Sequence, residues 1–381
     1  MKLLFVHDFP AEFYKGDYYS MGFPYSIWER YLSIFDEMII SSRFKSSKDI
    51  IEKKQSSGKN VSFRPITSYK SPQSLIKNHK NVIEKLTLAI KKSDGVLIRV
   101  PSVLGFIATK ICKQLNKKYM VEVVGSAYDA FWYHGSIFGK LLAYPIELLQ
   151  KQAVKNATVA IYVTQNYLSN KYPCNGKEFP GISNVQDIAI SSKDLSINKK
   201  VNVGLIGSTF VDYKGHETAI KAANLSKNKG VPIQLEFVGE GPSPKFANMA
   251  KKFNLENDVI FKGKIYGKEK LNKWFNHLDI YIQPSLTEGH CRAIVEAIGN
   301  GVPTLASNAG GNSDSVVNEY LFDAKDYKKL SELIEALFKD KNLRRNNVIQ
   351  NQDKISIYNK EQLQTQREEA LTYYKNVIIN E

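Results

Sequence analysis

With 381 residues, the chain is too long for one ordinary hydrophobic core, and two domains are expected. A composition of 43% hydrophobic and 24% charged residues excludes a disordered chain. The net charge of +15 is concentrated in residues 1–190, where 26 Lys and Arg face 15 Asp and Glu, so this half should attract anions: nucleic acid, acidic lipid or a phosphorylated acceptor.

Taken in chain order, short apolar runs predict buried parallel strands at Leu3–Val6, Met38–Ser41, Gly95–Val100, Tyr119–Val124 and Thr158–Val163. The run at Leu3–Val6 is too short for the core of a signal peptide, and no stretch reaches the roughly 18 apolar residues of a membrane span. Phe9–Tyr25, with Gly16 and Gly22, reads as a loop. Helical periodicity marks Ser74–Lys92 and Phe138–Val154. Residues 1–185 therefore read as one doubly wound α/β domain, and polar, weakly patterned residues 186–200 as a linker. A second alternation fills 201–358. Its strands are Val201–Ile206, Gln234–Val238, Val259–Lys262, Ile280–Gln283 and Pro303–Ser307; its helices are Gly215–Lys227, Pro244–Phe253, Lys268–His277 and Ala293–Gly299. Residues 359–381 form a last helix, Lys360–Ile379, of a kind that often crosses back to the first domain. Cys112, Cys174 and Cys291 are odd in number and widely spaced, which fits neither a disulfide framework nor a metal knuckle and suits a reducing cytoplasm.

The densest chemical signal is Pro284-Ser285-Leu286-Thr287-Glu288-Gly289-His290-Cys291-Arg292-Ala293-Ile294-Val295-Glu296-Ala297. Glu288 falls in a strand-to-helix loop, and Glu296 about two turns into the helix. A helix N-terminus offers N–H groups and partial positive charge to a phosphate. An ordinary amphipathic helix with solvated glutamates would show the same spacing. Upstream, Val203-Gly204-Leu205-Ile206-Gly207-Ser208 ends a strand and Tyr213-Lys214-Gly215-His216 precedes a helix. Phe237-Val238-Gly239-Glu240-Gly241-Pro242 and Phe261-Lys262-Gly263-Lys264-Ile265 are further strand ends, for which a β-turn is a sufficient explanation.

The stretch from Asp279 to Gly311, with Glu288 and Glu296 eight residues apart and Gly301-Val302-Pro303 and Gly310-Gly311 downstream, resembles the E-x7-E region of glycosyltransferase family 4. The resemblance implies a GT-B fold: two Rossmann-like domains with parallel sheets facing across a cleft, donor on the second and acceptor on the first. It implies that Glu288 binds donor-sugar hydroxyls and Glu296 the ribose, while backbone amides at Gly289, His290, Cys291 and Arg292 hold sugar and diphosphate. Lys214 would neutralise the diphosphate leaving group. Gly207, Ser208, Gly239, Glu240 and Ile265 would line the donor pocket. Many relatives carry an aromatic residue and a Gly where this chain has His290 and Cys291, and an Arg where it has Ser208. In the first domain, Asp129 and then His134 are the candidates to face the reacting sugar, with Gly16, Gly22 and Arg99 toward the acceptor; Asp129 as a helix cap and His134 as a surface residue are the plain alternatives.

The expected activity is retaining hexosyl transfer from a nucleotide-diphosphate sugar to a glycan or lipid-linked acceptor in cell-surface polysaccharide synthesis. No cofactor and no metal is expected, since no Asp-x-Asp triplet is present. A nucleotide-sugar epimerase of the same fold is the rival among enzymes. A nucleic-acid-binding protein is the rival from another class, disfavoured because residues 1–190 carry 4 Arg against 22 Lys and no recognised motif. The basic stretches Lys77–Lys92 and Lys140–Lys155 suggest peripheral contact with an anionic membrane on its cytoplasmic face.

Overall fold

The computed structural model describes all residues except 51–52, 68–71, 134–135, 186–187, 189, 198 and 381. The chain forms two compact units. One comprises Met1–Ala130, Ala143–Ile182 and Glu361–Glu381; the other comprises Phe131–Leu142 and Ser183–Lys360.

In the first unit, parallel strands run in the spatial order Glu37–Ser46, Lys2–Tyr14, Gly95–Val100, Met120–Val123, Val159–Tyr162, Lys177–Phe179. The sheet doubles back on either side of Lys2–Tyr14, so the switch point lies between that strand and Gly95–Val100. In open α/β sheets such a point, at the carboxyl ends of the strands, is where ligands bind. The helix Lys360–Ile379 packs on this unit through buried Ala370, Leu371 and Tyr374. The Tyr374 hydroxyl accepts from the Val96 N–H at 2.8 Å and donates to the Lys118 carbonyl at 3.1 Å.

The expected loop Phe9–Tyr25 is instead a hairpin. The first strand continues to Tyr14, and Asp17–Ser20 returns antiparallel to it. An irregularity between Val6 and Pro10 absorbs the proline, after which Pro10–Phe13 pair with Arg43–Ser46. Gly16 takes the turn at φ 94°, and Gly22 follows the hairpin.

The second unit has six strands in the order Val259–Gly263, Ile233–Val238, Val201–Ile206, Ile280–Gln283, Thr304–Ser307, Leu321–Phe322, all parallel. In sequence terms this is 3-2-1-4-5-6, the dinucleotide-binding order, with the switch point between Val201–Ile206 and Ile280–Gln283. Residues 183–200 carry no regular element among those described and pack on this unit. The Ser191 N–H donates to the Gly299 carbonyl at 2.8 Å, and the Lys193 ammonium donates to the Asn276 carbonyl at 2.8 Å.

Tyr374→Phe removes one hydroxyl and leaves the buried Val96 N–H without its acceptor. The expected loss is about 1–3 kcal/mol, read as a lower urea midpoint for the first unit at unchanged cooperativity.

Candidate active site

In the second unit the switch point gathers the sequence-predicted donor residues. Gly207 ends its strand, and its N–H donates to the Val238 carbonyl at 2.8 Å. Gly239 ends the neighbouring strand at φ 146°; a Cβ there would overlap the Gly207 carbonyl oxygen, so only glycine allows the two backbones to approach. The Gly239 N–H in turn donates to the Gly263 carbonyl at 3.0 Å, just upstream of half-buried Ile265. Ser208 is half-buried and its hydroxyl accepts from the Phe210 N–H at 3.3 Å. Glu240 is exposed.

The Lys214 stem lies against Gly207, where any side chain would collide with it. Its ammonium meets Glu288 Oε1 at 2.7 Å, with the two side chains only 20% and 10% exposed. Burial opposes the lysine's charge, but the Glu288 carboxylate more than offsets this and raises its pKa. The same carboxylate oxygen accepts from the Ser285 hydroxyl at 2.7 Å and from the Gln283 amide at 3.4 Å, and Tyr281 donates to Gln283 at 2.5 Å. Ser307 ties the Ser285 carbonyl in place at 2.6 Å. Gln283, Ser285 and Ser307, all buried, were not among the expected site residues. The signal for Gln283 and Ser307 is a polar residue closing an otherwise apolar strand, and for Ser285 its place in the Pro284-Ser285 pair before the glutamate motif.

The glutamate loop is pinned from behind. Gly310 takes φ 58° with its Cα against the Glu288 carbonyl, and the Gly311 N–H donates to the Gly289 carbonyl at 3.1 Å. Because this loop stays non-helical, the helix opens only at Arg292 and runs to Gly299. Glu296 is therefore just over one turn into it, not two. Its pKa is raised by burial, against the pull of Arg292 and Lys268. Cys291 occupies the cap position and is buried; burial and then the Glu288 charge push its thiol up to about 12, so it stays protonated. Arg292 is exposed at the first helical position.

The His290 side chain is packed within the unit. Nδ1 is 2.9 Å from the Ser183 hydroxyl, Nε2 is 3.4 Å from that of Ser315, and the ring meets Tyr358 edge-on at 4.7 Å. Burial, aided by Arg292, lowers its pKa to about 4, so the imidazole is neutral at pH 7.

In the first unit, Asp129 lies in the first turn of the short helix Ala127–Trp132. It does not cap that helix; the Ser126 hydroxyl does, accepting from the Asp129 N–H at 3.2 Å. The carboxylate instead accepts from the Tyr167 hydroxyl at 3.2 Å and pairs with Lys171 at 3.5 Å. His134 lies outside the described residues. Arg99 pairs with the buried Glu122 at 2.9 Å and stacks over Phe23. Beside it, burial and then Arg99 lower the His7 pKa to about 4. The Asp8 carboxylate accepts from the Val103 and Leu104 N–H groups that open the helix Val103–Gln114. His7, Asp8 and Glu122 thus occupy the first switch point, and sequence reasoning had passed over them. Among the described residues, no three His, Cys, Asp or Glu side chains converge to hold a metal.

Comparison with known proteins agrees with this geometry. Over its whole length the chain superposes on the sucrose-phosphate synthase of Thermosynechococcus elongatus with a TM-score of 0.71 at 16% identity, covering 100% of both chains. On Anabaena HepE in complex with UDP-glucose the TM-score is 0.64 at 17% identity, covering 98% of this chain and 100% of that one. The fold is that of the GT-B glycosyltransferases. Residues 187–354 match the family described as Glycosyl transferases group 1. The chain is 65% identical to Protein CapJ of Staphylococcus aureus over 380 residues, 99% of this chain and 97% of that protein. It is 25% identical over 154 residues to the capsular polysaccharide biosynthesis glycosyltransferase CapM of Staphylococcus aureus, 39% of each. The chain belongs to the group 1 glycosyltransferases, the family 4 type whose members draw on nucleotide-sugar donors.

His290 is a depressed titration, so its contribution to stability is present in full above the unfolded value near 6.5 and fades as pH falls toward about 4. Between pH 7 and pH 5 the second unit should lose about 1–2 kcal/mol through this imidazole. A His290→Asn variant should show a flatter pH dependence of its unfolding midpoint.

Proposed function

We propose that this glycosyltransferase moves a hexosyl group from a nucleotide-diphosphate sugar to a glycan or lipid-linked acceptor, with retention of anomeric configuration, in capsular or related cell-surface polysaccharide synthesis. The observation that carries the proposal is the buried Lys214–Glu288 pair at the second switch point. The donor's pyrophosphate would lie over the Gly289–Arg292 backbone at the mouth of the Arg292–Gly299 helix, where amides and helix dipole favour an anion. Lys214 would be shared between Glu288 and that pyrophosphate, taking up the negative charge that grows as the sugar leaves. Glu288, oriented by Ser285 and Gln283, would accept from donor-sugar hydroxyls, and Glu296 from the ribose. Gly207, Ser208, Gly239, Glu240 and Ile265 would border the nucleotide.

No carboxylate nucleophile is required: the acceptor hydroxyl would attack from the face the pyrophosphate leaves, passing its proton to the departing phosphate. Asp129, Arg99 and the segment with Gly16 and Gly22 belong to the acceptor side of this reading, as does His134. The capsular setting is supported by the likeness to CapM, a capsular polysaccharide biosynthesis glycosyltransferase, together with the near full-length likeness to CapJ. No helix among the described residues is long and apolar enough to cross a membrane, and the acceptor chemistry suggests work at the cytoplasmic membrane surface.

Glu288→Gln keeps the hydroxyl network but removes the charge, and Lys214→Ala removes the cation. Each should lower transfer by a factor of about 100 or more, while a panel of UDP-, GDP- and ADP-sugars identifies the donor by thermal shift. Lys214→Ala also strands a buried carboxylate and should cost a few kcal/mol of stability; Lys214→Ala/Glu288→Ala, which strands neither, should recover stability but not transfer. Full activity in Glu288→Gln would refute the assignment.

A further inference from the structure

The helix Ile137–Lys155 buries small apolar side chains, Ala143, Ala153 and Val154, together with polar ones, and leaves its largest apolar side chains outside. Its inward side carries Glu147 and Gln150, 5% and 0% exposed. Glu147 accepts from the Tyr172 hydroxyl at 2.6 Å and the Tyr128 N–H at 3.1 Å. Gln150 accepts from the Ala127 N–H and donates to the Gly125 carbonyl, both at 2.8 Å. These four bonds fix which side of the helix faces in. The other side presents Ile137 and Phe138 at 77% exposure, Leu141 at 68%, Tyr144 at 64%, Leu148 at 48% and Leu149 at 44%. At roughly 100° per residue these six share one arc of about 140°. Folding therefore leaves a run of large apolar side chains in water, which a solvated surface seldom does without a partner.

The charges around that arc select the partner. Lys140, Lys151 and Lys155 are exposed on the same helix, and its sole carboxylate, Glu147, is buried. Trp132, half-exposed just before the helix, lies 5.7 Å beneath the Lys140 ammonium. An apolar stripe edged by lysines and an aromatic ring matches the boundary between anionic headgroups and acyl chains. We propose that the helix Ile137–Lys155 is a membrane-insertion element: its apolar arc enters the acyl boundary of an anionic bilayer, and Lys140 and Lys151 rest on the phosphates. The proposal deepens the membrane-surface reading above. It replaces a purely electrostatic contact through lysine-rich helices by a hydrophobic one with a defined face.

The test uses the full chain and vesicles of phosphatidylcholine with 30% phosphatidylglycerol. The chain has three tryptophans, of which Trp28 and Trp274 are buried, so quenching by brominated acyl chains reports on Trp132. The wild type should float with the vesicles, show quenching, and remain partly bound in 0.5 M salt. Ile137→Ser/Phe138→Ser/Leu141→Ser should lose vesicle affinity by roughly tenfold or more at low and high salt alike. Lys140→Glu/Lys151→Glu should lose it mainly at low salt. Both variants should keep the wild-type thermal shift with donor nucleotide-sugar, which separates failure of this proposal from failure of the donor assignment. Three results would overturn it: a wild type that stays at the bottom of the gradient, a serine variant that floats like wild type, or a wild-type dimer that the serine variant breaks without any vesicle affinity.

Discussion

At the second switch point, two strand ends approach through backbone alone, and a lysine and a glutamate are brought together beneath them. Gly239 has no Cβ to hold the Gly207 carbonyl away, and Gly207 has none to displace the Lys214 stem. Lys214 is thereby laid along the strand end with its ammonium on Glu288, whose own carbonyl is pressed against Gly310. Each step depends on the one before it. A buried ion pair of this kind is a weak source of stability, because two desolvation costs roughly cancel the attraction. Its placement is better understood from what comes to it. An arriving pyrophosphate would give the lysine a second anionic partner, and would find Glu288 already oriented by Ser285 and Gln283.

The first unit has the same winding but a different charge balance at its switch point. Arg99 is already compensated by Glu122, which is buried and also accepts from Tyr31 at 3.4 Å. His7 is held neutral by burial and by that arginine, and Asp8 is occupied with the amides that open a helix. Such a site carries little uncompensated charge of its own. On the proposed reading it would meet a polyhydroxyl acceptor through hydrogen bonds, whereas the second site would meet a diphosphate through charge. The excess of lysine in residues 1–190 is thus largely a property of surfaces such as the Ile137–Lys155 helix and not of the switch point.

Legibility in the sequence followed how local the determining forces were. The strands Val201–Ile206 and Ile280–Gln283 and the helices Lys268–His277 and Lys360–Ile379 were read with their observed ends, since apolar runs bounded by Gly, Pro or Asp decide them locally. Of the Lys2–Tyr14 strand only Leu3–Val6 is legible, because its continuation past Pro10 depends on pairing with Arg43–Ser46, about thirty residues away. Besides short helices such as Tyr25–Leu32 and Tyr167–Lys171, three long ones are absent from the sequence reading. Val103–Gln114 is apolar on nearly every side, so it shows no period; Lys341–Ile355 is mostly polar, and it buries Arg344, Asn347 and Asn351 beside Val348 and Ile355, so no continuous apolar stripe marks it. Tyr327–Lys339 has a clear apolar stripe, with Leu330, Ile334 and Leu337 buried, so helical periodicity does mark it in the sequence. At the site, Glu288 and Lys214 were legible as a motif. The hydroxyls that orient Glu288 were not, since the Ser307 contribution comes from the next strand.

The Ile137–Lys155 helix shows where pattern reading reaches its limit. Hydrophobic periodicity locates such a helix but assumes that the apolar side faces the core. Here the choice of side is made by Glu147 and Gln150, whose partners Tyr172, Tyr128, Ala127 and Gly125 lie 19 to 25 residues away in the chain. A carboxylate buried with two donors is costly to turn outward, because its partners would be left unsatisfied. These polar contacts act with the small apolar residues Ala143, Ala153 and Val154, buried on the same side, to set the orientation. The apolar arc is left exposed by construction, and water is the solvent it fits least.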